Sequence, residues 1–591
     1  MLEFILLLKQ RYQTILESQF ADENLRTLYQ GRIDTLILAE AFIRKGLLLA
    51  SIPDHPLQIA VIGPTQAGKS TVTNLLLGTA AAGVSPLAGF TVHPQGFCSD
   101  PSAGQCPWLD EYFDHFQRLP HARLDKNRPA CYALTKLENH QVSLLPPCIL
   151  WDTPDFDSID AASYREGVLR TAALADVLLV VVSKEKYADQ SVWETLGLLE
   201  PLQQPTLILV NKLTENARSA VLHSLQEKWC QARSDAFPEV LSLPYQRSTA
   251  PAQWPARELE KVLKQLSKTA RKNRLRTHFQ CQQRLLTSHW DSWLEPVLAE
   301  HAALAEWEKL VAESIRQALA NYHRDYLDHP HHYETFQNAL AELLTLLEIP
   351  GLARVLVQTR KVLTWPVKQM IRLGKAGFGQ HRDLTDGSQE IVLLRQIAEH
   401  LLIQLADRLL DKIEQEPEKE QWWKALNAVL RRQRNAVLAA FQTSANNYHA
   451  EFHEEVESVA HRLYAKLQEQ PLTLNSLRAT RATTDAAAVA LALQAGGIGL
   501  HDLIITPAML SVSSLLAESA IGGYMKRVET EMKLKQLHTV KHTLFLDPLQ
   551  AALLTFPKML DRHLSFNISP QLLHDAEQQL KTEKKHGLRM L

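Results

Sequence analysis

One short segment limits the fold of this chain more than any other. Residues 63–70 read Gly-Pro-Thr-Gln-Ala-Gly-Lys-Ser, so four residues separate two glycines and a lysine and a serine follow. The apolar run 57–62 before this loop predicts a buried strand, and residues 70–77 after it predict the start of a helix. A glycine-containing loop between a strand and a helix is typical of phosphate-binding α/β domains.

The residue types in this loop suit the binding of a polyphosphate. Gly63 and Gly68 let the backbone approach the ligand and turn amide hydrogens toward it. The helix that follows adds free amides and the positive end of its dipole. Lys69 is predicted to reach the β and γ phosphates, and the Ser70 hydroxyl to bind Mg²⁺. The predicted nucleotide contacts in this stretch are Gly63, Pro64, Thr65, Gln66, Ala67, Gly68, Lys69, Ser70 and Thr71.

Composition indicates a folded multidomain protein without a specific nucleic-acid partner. The chain has 591 residues, of which 46% are hydrophobic, and its formal net charge is −2. That balance gives no overall field to attract nucleic acid. The cysteines show neither metal-ligand nor paired spacing, which indicates free thiols in a reducing cytoplasm.

The chain changes character along its length. Strand-like apolar runs alternate with helical patterns up to about residue 255, and long helical patterns follow. Continuous apolar strands favour a mostly parallel sheet with helices on both faces. We therefore predict an α/β phosphate-loop domain plus a large all-α region, with these bounds: 1–54 helical, 55–255 α/β, 256–480 helical, 481–525 an apolar helical hairpin, and 526–591 C-terminal helices.

Two further motifs follow predicted strands. Asp152-Thr153-Pro154-Asp155 and Asn211-Lys212-Leu213-Thr214 come after apolar runs, and Ser248 lies in a later Ser-Thr-Ala segment. In this order the set resembles the DxxG, NKxD and SA motifs of the translation-factor-like GTPases, a P-loop superfamily. The resemblance implies GTP as the substrate and Mg²⁺ as the cofactor. It assigns Mg²⁺ to Asp152, the terminal phosphate to Asp155, and the base to Asn211, Lys212 and Ser248.

Two departures from the family pattern bear on activity. Asp155 stands where the family has glycine, so a carboxylate lies near the expected γ-phosphate. Thr214 replaces the carboxylate that accepts two hydrogen bonds from guanine, which weakens discrimination between bases. We still expect GTP rather than ATP, because Asn211 and Lys212 are retained.

The residues that support hydrolysis are less clearly marked. Thr91 is our candidate second Mg²⁺ ligand, and the alternative is an ordinary loop or strand threonine. Phe156 cannot orient an attacking water. Hydrolysis would then need Gln66, a backbone group or a residue of a partner. Gln66 is our catalytic candidate beside Lys69, and the alternative is a solvent-exposed loop residue.

Two segments of the helical half suggest contact with a membrane. Residues 485–525 are almost free of charge, which fits either a hairpin that dips into one leaflet or a hairpin buried in protein. Residues 349–382 contain no acidic residue and mix basic with apolar side chains. Such a segment fits a surface for anionic lipid, and the alternative is a solvated basic face or a partner of acidic helices.

The overall organisation resembles the bacterial dynamin-related large GTPases. That resemblance implies nucleotide-dependent self-association, a neck formed with residues 1–54, a stalk in residues 256–480, and peripheral attachment to the inner face of the membrane from the cytoplasm. Two alternatives stay open. One is a nucleotide-gated scaffold or switch with little hydrolysis, and the other is an Era-like GTPase of ribosome assembly.

Overall fold

The chain divides into two compact units. The computed structural model describes residues 1–17, 23–52, 55–83, 91–99, 105–125, 127–137, 145, 147–155, 161–213, 218–244, 274–329, 333–347, 388–416, 419–471, 474, 516, 518, 521–561 and 563–589. The first unit comprises Met1–Leu298 with Ser565–Leu591, and the second comprises Ala299–Leu564. The described strands all lie in the first unit, and the second is helical. The predicted fold class is therefore confirmed, whereas the finer domain bounds stay predictions.

Strands and helices alternate in the first unit, as the apolar runs predicted. The strands are β1 (Leu57–Ile62), β2 (Gln95–Cys98), β3 (Gln117–Arg118), β4 (Cys131–Lys136), β5 (Cys148–Asp152), β6 (Val177–Ser183), β7 (Thr206–Leu213) and β8 (Val240–Pro244). The helices among the described residues of both units are α1 (Leu2–Glu17), α2 (Glu23–Ser51), α3 (Lys69–Leu77), α4 (Trp108–Phe113), α5 (Ala161–Leu174), α6 (Gln190–Leu199), α7 (Arg218–Ala232), α8 (Arg274–Tyr322), α9 (Glu334–Leu346), α10 (Gln389–Gln415), α11 (Glu420–Gln468), α12 (Gly522–Val540), α13 (Ala551–Leu554) and α14 (Pro570–Arg589). Short 3₁₀ turns occupy His121–Arg123, Glu200–Leu202 and Phe556–Met559, and π-helical turns occupy His323–Leu327 and Lys541–Gln550.

The described part of the sheet has eight strands in the order β3-β4-β2-β5-β1-β6-β7-β8. Neighbouring strands are parallel throughout this part except for β2 and β5, which are antiparallel. The carboxyl ends of β1, β5, β6 and β7 therefore meet at one edge. In open α/β sheets this edge is where ligands bind.

Alternate residues of the central strands face two apolar cores. On β1, Ile59 and Val61 belong to the core that α3 covers, whereas Ala60 and Ile62 belong to the core shared with α1, α2 and α5. Every residue of β1, β5 and β6 is buried. Helices on both faces explain why these strands are continuously apolar in the sequence.

The two N-terminal helices pack within the same unit. Tyr12 of α1 meets Phe566 with ring centroids 4.9 Å apart, and its hydroxyl donates to the Trp293 carbonyl of α8 at 2.8 Å. Lys45 of α2 donates to the Ala175 carbonyl, two residues before β6, at 2.6 Å. Residues from both ends of the chain thus complete the core on one face of the sheet.

The second unit is built from long helices around one apolar core. This core combines the later part of α8 with α9, α10, α11, α12 and α13. Fully buried tryptophans anchor it, and the indole of Trp307 donates to the Leu553 carbonyl at 3.1 Å. Amphipathic helices of this length take most of their stability from such packing.

The two segments predicted to contact a membrane lie wholly or mostly outside the described residues. Residues 349–382 lie outside the described residues, as does most of 481–525. Among the helices that are described, none combines the length and the apolar character needed to cross a bilayer.

Candidate functional site

The phosphate-binding loop connects β1 to α3 at the carboxyl edge of the sheet. Both glycines are required by close contacts. A Cβ atom at Gly63 would lie 2.1 Å from the Val181 carbonyl oxygen of the neighbouring strand. Gly68 has φ of +94°, in the left-handed region, and a Cβ there would lie 2.2 Å from the Asn211 side-chain nitrogen. Larger residues at either position would push the loop off the sheet edge.

Lys69 points back over the loop and is almost completely buried, with 5% of its surface exposed. Its ammonium donates to the carbonyl oxygens of Gly63 at 2.9 Å and Pro64 at 3.2 Å. It also forms an ion pair with the Asp155 carboxylate, which is 8% exposed. The loop lysine is therefore held above the first turn of α3, where a phosphate in the loop would meet it.

Ser70 and Asp152 meet beside this lysine. The Ser70 hydroxyl donates to Asp152 Oδ2 at 2.7 Å, and Asp152 is fully buried. Burial raises the pKa of Asp152 to about 6, and the negative charge of Asp155 acts in the same direction. The hydrogen bond from Ser70 and the charge of Lys69 oppose this rise. A cation at this carboxylate would displace its proton and relieve the cost of burial.

The residues present fit a Mg²⁺ ion shared with a nucleotide. The described residues contain no cluster of three or more His, Cys, Asp or Glu side chains able to hold a metal by themselves. However, Asp152 Oδ1 is buried without a hydrogen-bond partner within that part of the chain, while Oδ2 binds the Ser70 hydroxyl. Mg²⁺ is commonly bound through one or two protein oxygens together with substrate phosphates. One hydroxyl and one unsatisfied carboxylate oxygen match that pattern.

The Asn-Lys motif is tied directly to the loop. Asn211 donates from its amide to the Ala67 carbonyl at 2.9 Å, and its side-chain oxygen accepts the Lys212 amide hydrogen at 2.8 Å. Lys212 has φ of +57°, and its ammonium donates to the Gln66 carbonyl at 3.1 Å. An irregular pairing of β7 with β8 between Val210 and Leu213 accompanies this conformation. The two predicted parts of the nucleotide site, one for the phosphates and one for the base, are thus adjacent.

Other predicted site residues are less closely connected. Gln66 has an exposed side chain and φ of +61°. Thr91 is buried and lies four residues before β2, and within the described residues it forms no hydrogen bond with Ser70 or Asp152. Its assignment as a metal ligand therefore stays a prediction. Thr65 is buried and Thr71 half-buried, whereas Phe156, Thr214 and Ser248 lie outside the described residues.

Two contacts of the site were not predicted from the sequence, namely the pairing of Lys69 with Asp155 and the hydrogen bond from Thr153 to Val61. It placed the Asp155 carboxylate near the γ-phosphate but did not predict that the carboxylate pairs with Lys69, 86 residues away. The acidic residue at the fourth position of the DxxG-like motif was the available signal. Thr153, to which no role was given, donates from its hydroxyl to the Val61 carbonyl at 2.8 Å. This bond fixes the segment after β5 against β1.

Comparison with solved structures returns bacterial dynamins. One match is an oligomerised bacterial dynamin pair described as sensing and tethering membranes, with a TM-score of 0.33, 11% identity, and coverage of 98% of this chain and 96% of the other. Another is the LeoA bacterial dynamin GTPase from ETEC, with a TM-score of 0.23, 13% identity, and coverage of 94% and 97%. TM-scores this low assign neither fold nor function. No curated protein matches the chain at a significant level.

A match to a protein-family model supports a GTPase domain more strongly than these structures do. Residues 58–212 match the family described as 50S ribosome-binding GTPase, and this span contains β1, the loop, Asp152 and the Asn-Lys pair. Ribosome binding belongs to that description and is not assigned to this chain, and the narrower translation-factor-like grouping stays a prediction. The match and the arrangement of the loop agree: the chain carries a GTPase domain of the P-loop superfamily in residues 58–212.

Proposed function

We propose that the chain binds GTP with Mg²⁺ at the loop of residues 63–70 and hydrolyses it. The observation that carries the proposal is the pairing of Ser70 with Asp152, whose second carboxylate oxygen is buried and unsatisfied, beside the buried ammonium of Lys69. In the proposed complex Lys69 contacts the phosphates, and Ser70 and Asp152 hold the ion. Bound Mg²⁺ would neutralise charge that develops on the phosphates during hydrolysis.

The base is assigned to the Asn-Lys pair. Asn211 and Lys212 are fixed by hydrogen bonds to the loop, so they border the place where a nucleotide extends beyond its phosphates. Ser248 is proposed to complete this side. Gln66 and Thr91 are proposed to assist hydrolysis, the first by orienting water and the second as a further Mg²⁺ ligand.

Equilibrium binding of fluorescent GTP and ATP analogues with Mg²⁺ tests the proposal. Lys69→Ala should weaken GTP binding by about 10- to 100-fold, because a hydrogen bond to a charged group contributes about 1.5–3 kcal/mol. Lys228→Ala, which removes a lysine from α7, is the matched control and should leave binding unchanged. Equal binding of GTP and ATP would contradict the base assignment, and no loss in Lys69→Ala would contradict the site itself.

We also propose that the protein attaches peripherally to the inner face of a membrane from the cytoplasm. The support is in the sequence, namely the uncharged stretch within 481–525 and the basic segment 349–382. Anionic liposomes should bind the wild type better than neutral liposomes, because each basic residue near such a surface contributes about 1 kcal/mol. Binding should be lost when the following residues are changed to Gln: Arg354, Arg360, Lys361, Lys368, Arg372 and Lys375.

The matched control for that variant removes the same charge elsewhere. It changes to Gln six exposed basic residues of described helices: Arg26, Arg395, Lys424, Arg431, Arg432 and Lys581. Equal loss of liposome binding in both variants would show a nonspecific charge effect. Sedimentation velocity with GDP and with a nonhydrolysable GTP analogue tests the further proposal that self-association depends on the nucleotide.

A nucleotide-gated switch with little hydrolysis is the second candidate, and the ion pair between Lys69 and Asp155 favours it. In this ion pair the ammonium of Lys69, the proposed contact of the phosphates, is already bound to a carboxylate. Tight GTP binding combined with turnover no faster than that of Lys69→Ala, with or without lipid, would support this candidate over the first.

A further inference from the structure

The ammonium of Lys69 has all three of its hydrogen-bond donors engaged. Two donors go to the Gly63 and Pro64 carbonyls, and the third goes to the Asp155 carboxylate. The two carbonyls belong to the loop itself and are neutral. The carboxylate is the anionic partner, so it occupies the part of the ammonium's surface that an anionic ligand would otherwise take.

Asp155 reaches this position because the chain is anchored just before it. The Thr153 hydroxyl bonds to β1, and Asp152 at the end of β5 accepts the hydrogen bond from Ser70. These contacts bring the segment after β5 against the first turn of α3. Asp155 is almost completely buried there, and its ion pair with Lys69 offsets the cost of removing its charge from water.

We propose that Asp155 competes with the terminal phosphate of GTP for Lys69, so that the site discriminates against triphosphate relative to diphosphate. The inference rests on the proposed function and adds a regulatory device to the same site. The loop's backbone amides hold the α and β phosphates, and the lysine reaches the β-phosphate and, in a triphosphate, the γ-phosphate as well. A triphosphate therefore depends more than a diphosphate on a free ammonium.

Electrostatics strengthens the same preference. The Asp155 carboxylate pairs with Lys69, and the Asp152 carboxylate accepts the hydrogen bond from the next residue, Ser70. A γ-phosphate would bring further negative charge to an ammonium that already has the Asp155 carboxylate as its partner. Like charges in a poorly solvated site repel strongly, and the repulsion grows with the charge of the ligand.

The experiment compares the dissociation constants of GDP and of a nonhydrolysable GTP analogue, both with Mg²⁺, by calorimetry on the full chain. The central variant is Asp155→Asn, which keeps the shape of the side chain and removes its charge. We expect the Kd of the triphosphate analogue to fall by about 10-fold, since the charged contact contributes about 1.5 kcal/mol or more. The Kd of GDP should change by less than about 3-fold, within the range of a lost weak contact.

Control variants separate this effect from general charge and from folding. Glu227→Gln removes one negative charge from an exposed position of α7 and should leave the ratio of the two Kd values unchanged. If a lowered melting temperature shows that Asp155→Asn is destabilised, Asp155→Ser serves as the second uncharged variant. In steady-state assays the KM for GTP should fall in Asp155→Asn and stay unchanged in Glu227→Gln.

The outcomes distinguish the inference from the function on which it rests. If neither the wild type nor any variant binds either nucleotide, the proposed function is wrong, and the inference fails with it. If both nucleotides bind and the Kd ratio is the same in wild type and Asp155→Asn, only the inference fails. An unchanged ratio with lost turnover would show instead that Asp155 acts in the chemical step.

Discussion

Each unit buries a glutamate where several helices meet, but Glu40 and Glu390 are held by different chemistry. Glu40 of α2 is fully buried and forms ion pairs with Lys9, Arg44 at 3.0 Å and Arg170 at 2.9 Å. These cations come from α1, α2 and α5. An ionic cluster therefore joins the N-terminal helices to a helix of the GTPase domain.

Glu390, near the start of α10, is 2% exposed and accepts hydrogen bonds mainly from neutral groups. The donors are the hydroxyls of Tyr322 at 2.6 Å and Tyr448 at 3.0 Å and the amide of Gln536 at 2.8 Å. The ring nitrogen of His449 lies 3.8 Å from the carboxylate. This carboxylate links α8, α10, α11 and α12.

The difference shows two ways of burying the same group. Burial would raise the pKa of Glu40, but the charges of Arg170 and Lys9 outweigh it and lower the pKa. Around Glu390, burial and then the charge of the carboxylate raise the pKa of Tyr322 and Tyr448. The stability of the cluster around Glu40 depends on matching each charge with an opposite one, whereas Glu390 depends on the hydrogen bonds that it accepts.

The largest effect is expected for Glu40→Gln. The change leaves Lys9 and Arg170 buried beside an uncharged amide, and loss of one partner from a buried ion pair costs about 3–5 kcal/mol. Urea denaturation of the full chain, followed by the fluorescence of the first unit's tryptophans, measures the loss. Glu23→Gln, at an exposed position of the same helix, is the control. Equal small losses in the two variants would show that the ionic cluster contributes little.

A smaller loss is expected for Glu390→Gln. The amide keeps an oxygen that can accept from Tyr322 and Gln536, so the cost should be about 1–3 kcal/mol, the range for an imperfectly satisfied buried group. Glu399→Gln in the same helix is the control, because that side chain is more than a third exposed. A loss as large as that of Glu40→Gln would remove the distinction between the two glutamates.

A third comparison concerns sensitivity to acid rather than stability at neutral pH. Burial would raise the pKa of Glu166, next to the ionic cluster, but the His115 hydrogen bond and the charge of Arg170 lower it from 4.5 to about 2. This carboxylate therefore stabilises the fold fully above about pH 4.5, and its contribution is lost as the pH falls from there toward 2.

A denaturation series from neutral pH to about pH 2 measures this loss. Glu166→Gln should lose stability less steeply than the wild type between about pH 4.5 and 2, because it has no proton to take up there. Parallel curves for the two proteins would contradict the assignment of acid sensitivity to this residue.

The sequence predicted those parts of the molecule whose structure depends on residues close together in the chain. The loop at 63–70, its strand and its helix follow from a local pattern, and so does the change from α/β to all-α. The partners of Glu40 could not be predicted, because Lys9 and Arg170 are brought to it only by the packing of three helices. For the same reason the sequence could predict Asp155 as a phosphate-site residue but not its pairing with Lys69.

The hydrogen bonds from Asn211 to Ala67 and from Lys212 to Gln66 join two loops that are far apart in the chain. In the proposed site one loop receives the phosphates and the other receives the base. Because folding has already ordered one loop against the other, a nucleotide need not immobilise them separately. Preorganisation of this kind lowers the conformational entropy lost on binding and leaves more of the contact energy as affinity.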